Sequence, residues 1–492
     1  MAFRSSALNI TETANGACSY KNTDSSRVNL FYKSCRGVSK EELVLLLEKS
    51  WEEDVLDTLK LIAYTRDIRG GKGERNIFRE MLVWLASVHP EELKLNIDCF
   101  IKEYGRYDDI FVLCKVKEME DFCINFCVEQ FKADLMNIDT ENKSVSLLAK
   151  WFPSENKKLD KEYKIYKRIC KKLCLTPKQF RTNYLVPLRR KIDILETKMC
   201  EKKWENIEFS KVCGSAMKIH SRPTKAFERN VPEKFEEYKT KLTSGTTSVN
   251  GKTLFPHEIV KEYLNARHMD VILEKQWEEI IKGTTDSDSN TGMKDCLVLS
   301  DVSSSMSGTP MIVSIAMGIL ISSKSSEKWR DLVLTFESNP HFHNVKGDTL
   351  FEKVKCLQKA PWGGSTDFCK ALDLILTVGL NKRLSQSEMP KKLIVISDMQ
   401  FNEADKKYMT NYQYIQKRYQ ESGYILPTIV FWNVNGQFND IPVDSSNQQG
   451  VSLISGFSAS LIKSISNGEI PTPFTTMRAA IDVERYSLVK VL

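Results

Sequence analysis

Four short apolar runs dictate what the second half of this chain can become: Cys296-Leu297-Val298-Leu299-Ser300, Leu332-Val333-Leu334-Thr335-Phe336, Leu393-Ile394-Val395-Ile396-Ser397 and Thr428-Ile429-Val430-Phe431-Trp432. Between them stand stretches with helical spacing, at 311–322, 368–378 and 405–419. A run that is apolar at nearly every position has no face to offer water, so it belongs to a strand covered on both sides. Such strands, separated by helix-length crossovers, imply a doubly wound, Rossmann-like α/β sheet of parallel strands. In sheets of this kind ligands collect at the carboxyl ends of the strands.

Oxygen-bearing side chains stand at those ends. Asp301-Val302-Ser303-Ser304-Ser305 follows the first run directly, so one carboxylate and two hydroxyls at i, i+2 and i+4 leave a single loop. Gly363-Gly364-Ser365-Thr366-Asp367 precedes the helix beginning at Phe368, and Asp398 ends the third run. Asp301, Ser303, Ser305, Thr366 and Asp398 are all hard donors, the ligand set of Mg2+, Mn2+ or Ca2+ rather than zinc. Singly they have plainer readings: Ser303 and Ser305 as caps of the next helix, Asp398 as a strand-end turn residue. Neither reading covers all five positions. His341 and His343 fall in an expected edge strand, and no nucleophile–base pairing is legible, so no enzyme is expected.

Upstream, from about 39 to 281, apolar residues recur at three- and four-residue spacing. Leu43 to Leu47, with Leu56, Leu59 and Ile62, make core-facing stripes. A helix at 74–88 carries Ile77, Phe78, Met81, Leu82 and Leu85 on one side and is expected to stop at Pro90, and another covers 122–136. Helix pairs without strands suggest an irregular α-bundle or a solenoid of HEAT-like repeats. Polar Gly/Ser/Thr stretches interrupt the chain at 242–251 and 283–292. Taking the second as a boundary divides the chain into an extension (1–38), an α-helical module (39–285), an α/β domain (293–470) and a C-terminal helix (471–492) packing back on the helical module.

Charge is unevenly spread: residues 161–230 hold 19 Lys and Arg against 7 Asp and Glu, a net of +12. Phosphate neutralisation needs clustered cations, so Lys171, Lys172, Lys178, Arg181, Arg189, Arg190, Lys191, Lys202, Lys203, Arg222, Lys225 and Arg229 form a candidate RNA-binding set. Tyr184, Trp204 and Phe227 could stack on unpaired bases. The alternative is a solvated helix face with its aromatics in the core. Gly70-Gly71-Lys72-Gly73-Glu74-Arg75 departs from a phosphate-binding P-loop, since Glu74 stands where Lys-Ser or Lys-Thr should end the motif and a helix precedes it. A helix–helix turn with Arg66, Arg69, Lys72 and Arg75 near RNA or in salt bridges is expected instead. The 13 cysteines are odd in number and scattered, as in reduced thiols. Cys123 with Cys127 and Cys170 with Cys174 lack the spacing of structural zinc. No apolar run approaches a membrane span of about 18 residues, and no secretory leader is legible, so a cytoplasmic protein without membrane attachment is expected, and a monomer.

The set Asp301, Ser303, Ser305, Thr366 and Asp398 resembles, in order and spacing, the metal-ion-dependent adhesion site of von Willebrand factor A domains. The resemblance implies binding rather than turnover: a divalent cation with one open coordination position, filled by an acidic group of a protein ligand. A helical module before such a domain resembles the TROVE architecture of the Ro ribonucleoprotein autoantigen and its telomerase- and vault-associated relatives, whose HEAT-like ring binds small structured RNAs and the ends of misfolded RNAs. The motifs Tyr64-Thr65-Arg66-Asp67-Ile68-Arg69-Gly70-Gly71-Lys72-Gly73-Glu74-Arg75 and Tyr104-Gly105-Arg106-Tyr107-Asp108-Asp109 look closer to an uncharacterised sister family of plants, microbes and large DNA viruses. Together these readings lead to a non-enzymatic RNA-binding protein whose A domain recruits an acidic partner through Mg2+. The competing expectation is a metal-dependent protein-interaction scaffold to which RNA is irrelevant.

Overall fold

The computed structural model describes residues 9–140, 144–284, 293, 295–336, 340–359, 366–403, 410–438, 440–465 and 470–492. They fall into two compact units that cut across the linear division. Met1–Glu74 and Ser248–Tyr486 form one unit; Arg75–Thr247 and Ser487–Leu492 form the other.

The first unit is built on six strands: β3 (Cys296–Ser300), β4 (Leu332–Thr335), β5 (Phe342–Asn344), β6 (Lys392–Ser397), β7 (Thr428–Asn433) and β8 (Val451–Ser455), with β1 (Ile10–Glu12) and β2 (Cys18–Tyr20) as a separate hairpin. The sheet order is β5-β4-β3-β6-β7-β8. All its neighbours are parallel except the edge strand β5, which pairs antiparallel with β4 and carries His343. The chain therefore leaves β3 toward one edge, returns to β6 on the other side of β3, and continues outward to β8. That reversal makes the crevice between β3 and β6 the topological switch point of a doubly wound sheet. Helix Thr309–Ser322 is apolar almost all round, and Val313 to Ser322 are buried, as expected of a helix covered on every side. It packs against β3, β4 and β6 and is covered by helix Pro256–Asn265.

Segments assigned by the sequence to the extension and the helical module complete this same unit. Helices Ser26–Lys33, Lys40–Glu53 and Val55–Arg66 start at the side-chain caps Ser25, Ser39 and Asp54. Helix Ser26–Lys33 packs on β8, as does the C-terminal helix Pro473–Ile481, which also meets Val55–Arg66. The physical reason for this grouping is that β8 and its neighbours need apolar cover, and helices from both ends of the chain supply it.

The glycine-rich motif closes this packing. A Cβ on Gly71 would stand 2.0 Å from the Tyr64 carbonyl oxygen, so only glycine lets the turn after Val55–Arg66 fold back so closely. The turn drives Lys72 inward, where its ammonium is fully buried and donates to the Phe31 carbonyl, to the Ser34 carbonyl at 2.9 Å and to the hydroxyls of Ser34 (3.1 Å) and Ser455 (2.8 Å). It ties the last turn of Ser26–Lys33 to the end of β8, near carbonyls that favour a cation. Asp67 accepts the backbone N–H groups of Arg69 and Gly70 and the guanidinium of Arg485. Glu74 is buried against Arg36, which lies over the rings of Phe457 and Phe255. The motif is architecture: of the four cations expected near RNA or in salt bridges, Lys72 and Arg66 are buried and only Arg69 and Arg75 are exposed.

The second unit is helical, with long helices Arg75–Val88, Pro90–Cys99 and Glu120–Asn137 followed by many short ones. The first of these ends at Val88, before Pro90, which occupies the first turn of the next helix, where its missing N–H costs nothing. Phe131, Phe152, Tyr166, Phe180 and Tyr184 form one edge-to-face aromatic cluster, and Phe209, Phe227, Phe235 and Tyr238 form another. In the second family-like motif, Arg79 reaches both Asp108 (2.8 Å) and Asp109 (2.7 Å), and Arg106 lies 4.0 Å above the Trp151 ring. The chain end joins this unit through Asn96, whose side chain exchanges two hydrogen bonds of 2.8 Å with the backbone of Lys490.

Replacing Lys72 with Met leaves four buried oxygens without their donor, so urea unfolding should show a loss of about 3 kcal/mol. Burial pulls the Lys72 ammonium down to about 8, whereas an unfolded lysine titrates at about 10.4. Between these values the unfolded chain binds more protons, so the wild type's advantage over Lys72→Met should widen from about pH 8 to about pH 10. An unchanged midpoint in the variant would show that the ammonium holds nothing together.

Candidate metal centre

The site begins where β3 and β6 end side by side. The register pairs Ser300 with Ile396, and the Asp301 N–H donates to the Ile396 carbonyl at 3.0 Å, continuing the ladder one residue past the strand. Asp301 thereby comes to rest beside Ser397, and its carboxylate is fixed at both oxygens: Oδ1 accepts the Ser303 N–H (2.9 Å) and Oδ2 accepts the Ser397 hydroxyl (2.5 Å). The turn formed by the first bond brings the Ser303 and Ser305 hydroxyls within 3.0 Å of each other. Neither serine is the cap foreseen as their plainer reading. Ser303 precedes a short 3-10 turn but makes no capping bond, and the following long helix is preceded by Gly308.

Asp398 stands at the end of the adjacent strand, fully buried like Asp301. Its Oδ1 accepts the Gln400 N–H at 3.2 Å, so the turn role is real, yet its Oδ2 is buried without a hydrogen-bond partner. Burial, together with the neighbouring Asp398 charge, pushes the Asp301 carboxyl up to about 6. Burial raises Asp398 as well, and the nearby Ser305 hydroxyl offsets part of that rise. Two like charges held close in a dry crevice repel, and each is costly to keep ionised. A cation is the group whose presence reverses both costs.

Thr366 enters from the loop before helix Phe368–Lys382. Its buried hydroxyl lies 2.7 Å from the Gln400 carbonyl oxygen and 3.0 Å from Asn402 Oδ1, and it accepts from Asn15 Nδ2 at 3.0 Å. Asp301, Ser303, Ser305 and Asp398 are thus in mutual reach, and Thr366 is joined to Asp398 through Gln400. The preceding Gly363-Gly364-Ser365 lies outside the described residues. Two carboxylates and three hydroxyls, with one carboxylate oxygen unsatisfied, fit a small hard divalent cation. Among the described residues no three His, Cys, Asp or Glu side chains converge as a metal site, so a cation here has to draw on hydroxyls.

Sequence reasoning missed Ser397, Gln400, Asn402 and Asn15. Gln400 and Asn402 carried a signal: polar residues at 398, 400 and 402 alternate with apolar Met399 and Phe401, the period of an extended chain with one face turned to the site. Asn15 carried none, being 351 positions from Thr366.

In the helical unit the structure sorts the basic residues. Lys171, Lys172, Lys178, Arg181, Arg190, Lys191, Lys202, Lys203, Lys225 and Arg229 are exposed, and Arg222 is half-buried. Arg189 is a correction: its guanidinium donates to the carbonyls of Ala149 (2.9 Å) and Phe152 (3.0 Å), so it is bound internally. Arg190 and Lys203 both pair with Glu201. Phe227 is fully buried in its cluster and cannot stack on a base; Tyr184 and Trp204 are half-buried. No described helix is long and apolar enough to cross a membrane.

The fold and crevice define a class: a helical unit joined to a doubly wound α/β unit with an acidic, hydroxyl-lined switch point. Residues 13–120 and 117–289 match the family described as Domain of unknown function (DUF2828), and residues 295–479 match Domain of unknown function (DUF7788). This chain belongs to the first of these families, whose matches span more than half of it. A relative, Uncharacterized protein L728 of Acanthamoeba polyphaga mimivirus, is 31% identical over 500 residues, covering 95% of this chain and 86% of its own. Among solved structures, the RO (RSR) protein of Deinococcus radiodurans matches over 93% of this chain and 99% of its own, at 12% identity and a TM-score of 0.35.

The buried repulsion yields a prediction. In chelator, Asp398→Asn should unfold at higher urea than wild type, a gain of about 1 kcal/mol, and in saturating Mg2+ the order should reverse. A variant less stable under both conditions would reduce Asp398 to a turn residue.

Proposed function

We propose that this chain is a non-enzymatic binding protein with two working surfaces. The α/β unit takes a divalent cation, Mg2+ or else Mn2+ or Ca2+, through Asp301, Ser303, Ser305, Thr366 and Asp398, in the manner of a von Willebrand factor A adhesion site. Bound there, the cation would supply a positive centre with a free position for the carboxylate of a protein partner. The observation that carries this reading is the unpartnered, buried Asp398 Oδ2 beside a second buried carboxylate. The chain's own groups do the rest: Ser397 and the Ser303 N–H orient Asp301, and Gln400 orients Asp398.

The helical unit we assign to structured or misfolded RNA. What supports this is the exposure of ten of the twelve candidate lysines and arginines between 171 and 229 and the resemblance of the sequence to TROVE proteins. With Phe227 buried and only Tyr184 and Trp204 partly accessible, affinity would come mainly from phosphate neutralisation.

Mg2+ should raise the unfolding midpoint of wild type and leave Asp301→Ala unmoved. Partner capture should follow the same pattern, and identical partners for both proteins with Mg2+ and with chelator would remove the cation from the function. For RNA, filter binding should weaken by about 10³ between roughly 50 and 200 mM salt if about six phosphates are neutralised. Absent or salt-independent binding leaves a protein-interaction scaffold as the function.

A further inference from the structure

The hairpin β1–β2 turns beside the candidate metal centre, and its turn touches the site more closely than any sequence pattern foretells. Thr13, Ala14, Asn15 and Gly16 form a tight turn: the Gly16 N–H donates to the Thr13 carbonyl (2.9 Å), and Gly16 adopts a φ of 87° that glycine tolerates freely. The Thr13 hydroxyl donates to the Phe401 carbonyl at 2.8 Å, Gly16 pairs with Asn402 as an isolated bridge, and the Glu403 N–H donates to the Asn15 carbonyl at 3.3 Å. The Ala14 N–H donates to Gln400 Oε1 at 2.6 Å, while Gln400 Nε2 is held by Asp440 at 2.8 Å. The strand-end segment carrying Asp398 is therefore bound along its length by residues from the far N-terminal side of the sequence.

Asn15 makes the decisive contact. Both hydrogens of its carboxamide nitrogen are used, one toward Thr366 Oγ1 at 3.0 Å and one toward the Gln400 carbonyl at 2.7 Å. A hydroxyl has one proton and two lone pairs. The Thr366 proton goes to an acceptor on the 400–402 segment, nearest the Gln400 carbonyl, and Asn15 donates onto one lone pair. Three partners thus surround the Thr366 oxygen, and Asn15 fastens the loop that carries it to the 400–402 segment that follows Asp398.

We propose that Asn15 is a positioning residue of the metal centre, supplied by the N-terminal hairpin, that holds the Thr366 hydroxyl against the segment following Asp398 and so sets the site's affinity for a divalent cation. Partners of this kind orient metal ligands elsewhere by the same physics: a donor one step removed locks the ligand atom and spares the cost of ordering it on binding. The inference rests on the cation-binding reading of Asp301 and Asp398, and goes beyond it by making an exposed turn, remote in sequence, part of the site.

The test titrates MgCl2 and MnCl2 into the full-length wild type, Asn15→Ala, Asn15→Ser, Glu12→Ala and Asp301→Ala. Affinity is read by calorimetry and by free Mn2+ in electron paramagnetic resonance, and the unfolding midpoint is measured in chelator and in saturating Mg2+. Truncating Asn15 to Ala or Ser should weaken cation affinity about tenfold, with a smaller loss of midpoint in chelator than in saturating Mg2+, and Glu12→Ala, on the same hairpin but outside this network, should match wild type. An Asn15 variant that binds cations as wild type does overturns the inference alone. So does one that loses the same stability with and without Mg2+, because that is the mark of a merely structural turn. If wild type itself shows no cation response that Asp301→Ala removes, the reading and the inference fall together.

Discussion

Two carboxylates kept out of water at neighbouring strand ends are the constraint from which the rest of the α/β unit can be understood. Asp301 and Asp398 meet because the strand order reverses between β3 and β6, which opens a crevice where no crossover covers the strand ends. Each carboxylate costs free energy to bury, and their proximity adds to that cost. A fold keeps such an arrangement only if surrounding groups hold it, and here Ser397, the Ser303 N–H and the Gln400 N–H all donate into the pair. The apolar helix Thr309–Ser322 and the four buried strands then act as the rigid frame that prevents the charges from moving apart.

How much of this was legible in the sequence follows from the range of the forces involved. β3 emerged with the residues expected, and β4, β6 and β7 within a residue at one end, because a fully buried strand needs apolar residues along its whole length and shows them locally. Asp301, Ser303 and Ser305 were legible as a loop motif for the same reason. β8 and the hairpin β1–β2 were not foreseen: β8 reads Val451-Ser452-Leu453-Ile454-Ser455, with serines where a buried strand usually shows hydrocarbon, and three-residue strands carry too little pattern. Ser452 is satisfied by the Thr476 hydroxyl of the C-terminal helix, a partner that only folding reveals. Nor was the grouping into units legible, since it depends on which surfaces of β8 want covering.

The two motifs that carried the family resemblance turn out to bind the protein to itself. Lys72, Asp67 and Glu74 are consumed by internal partners, as are Asp108 and Asp109. A long charged string in a sequence invites a functional reading because exposed charge is common and buried charge is rare. Here the rarity is the point: a buried ion that loses its partner is penalised severely, so a family can be recognised by its architecture without its ligand being visible.

The α/β unit is written in two pieces, Met1–Glu74 and Ser248–Tyr486, with most of the helical unit spliced between them. A chain emerging from the ribosome therefore makes three capped helices and a hairpin well before the sheet that they complete. Those helices expose their apolar sides until β8 has been synthesised, more than 370 residues after Ser455's buried partner Lys72 has appeared. Long waits of this kind favour slow, late consolidation and binding by chaperones. The intervening helical unit, whose first 173 residues are contiguous, is free to assemble during that interval, so biosynthesis should present the helical unit before the α/β unit is complete.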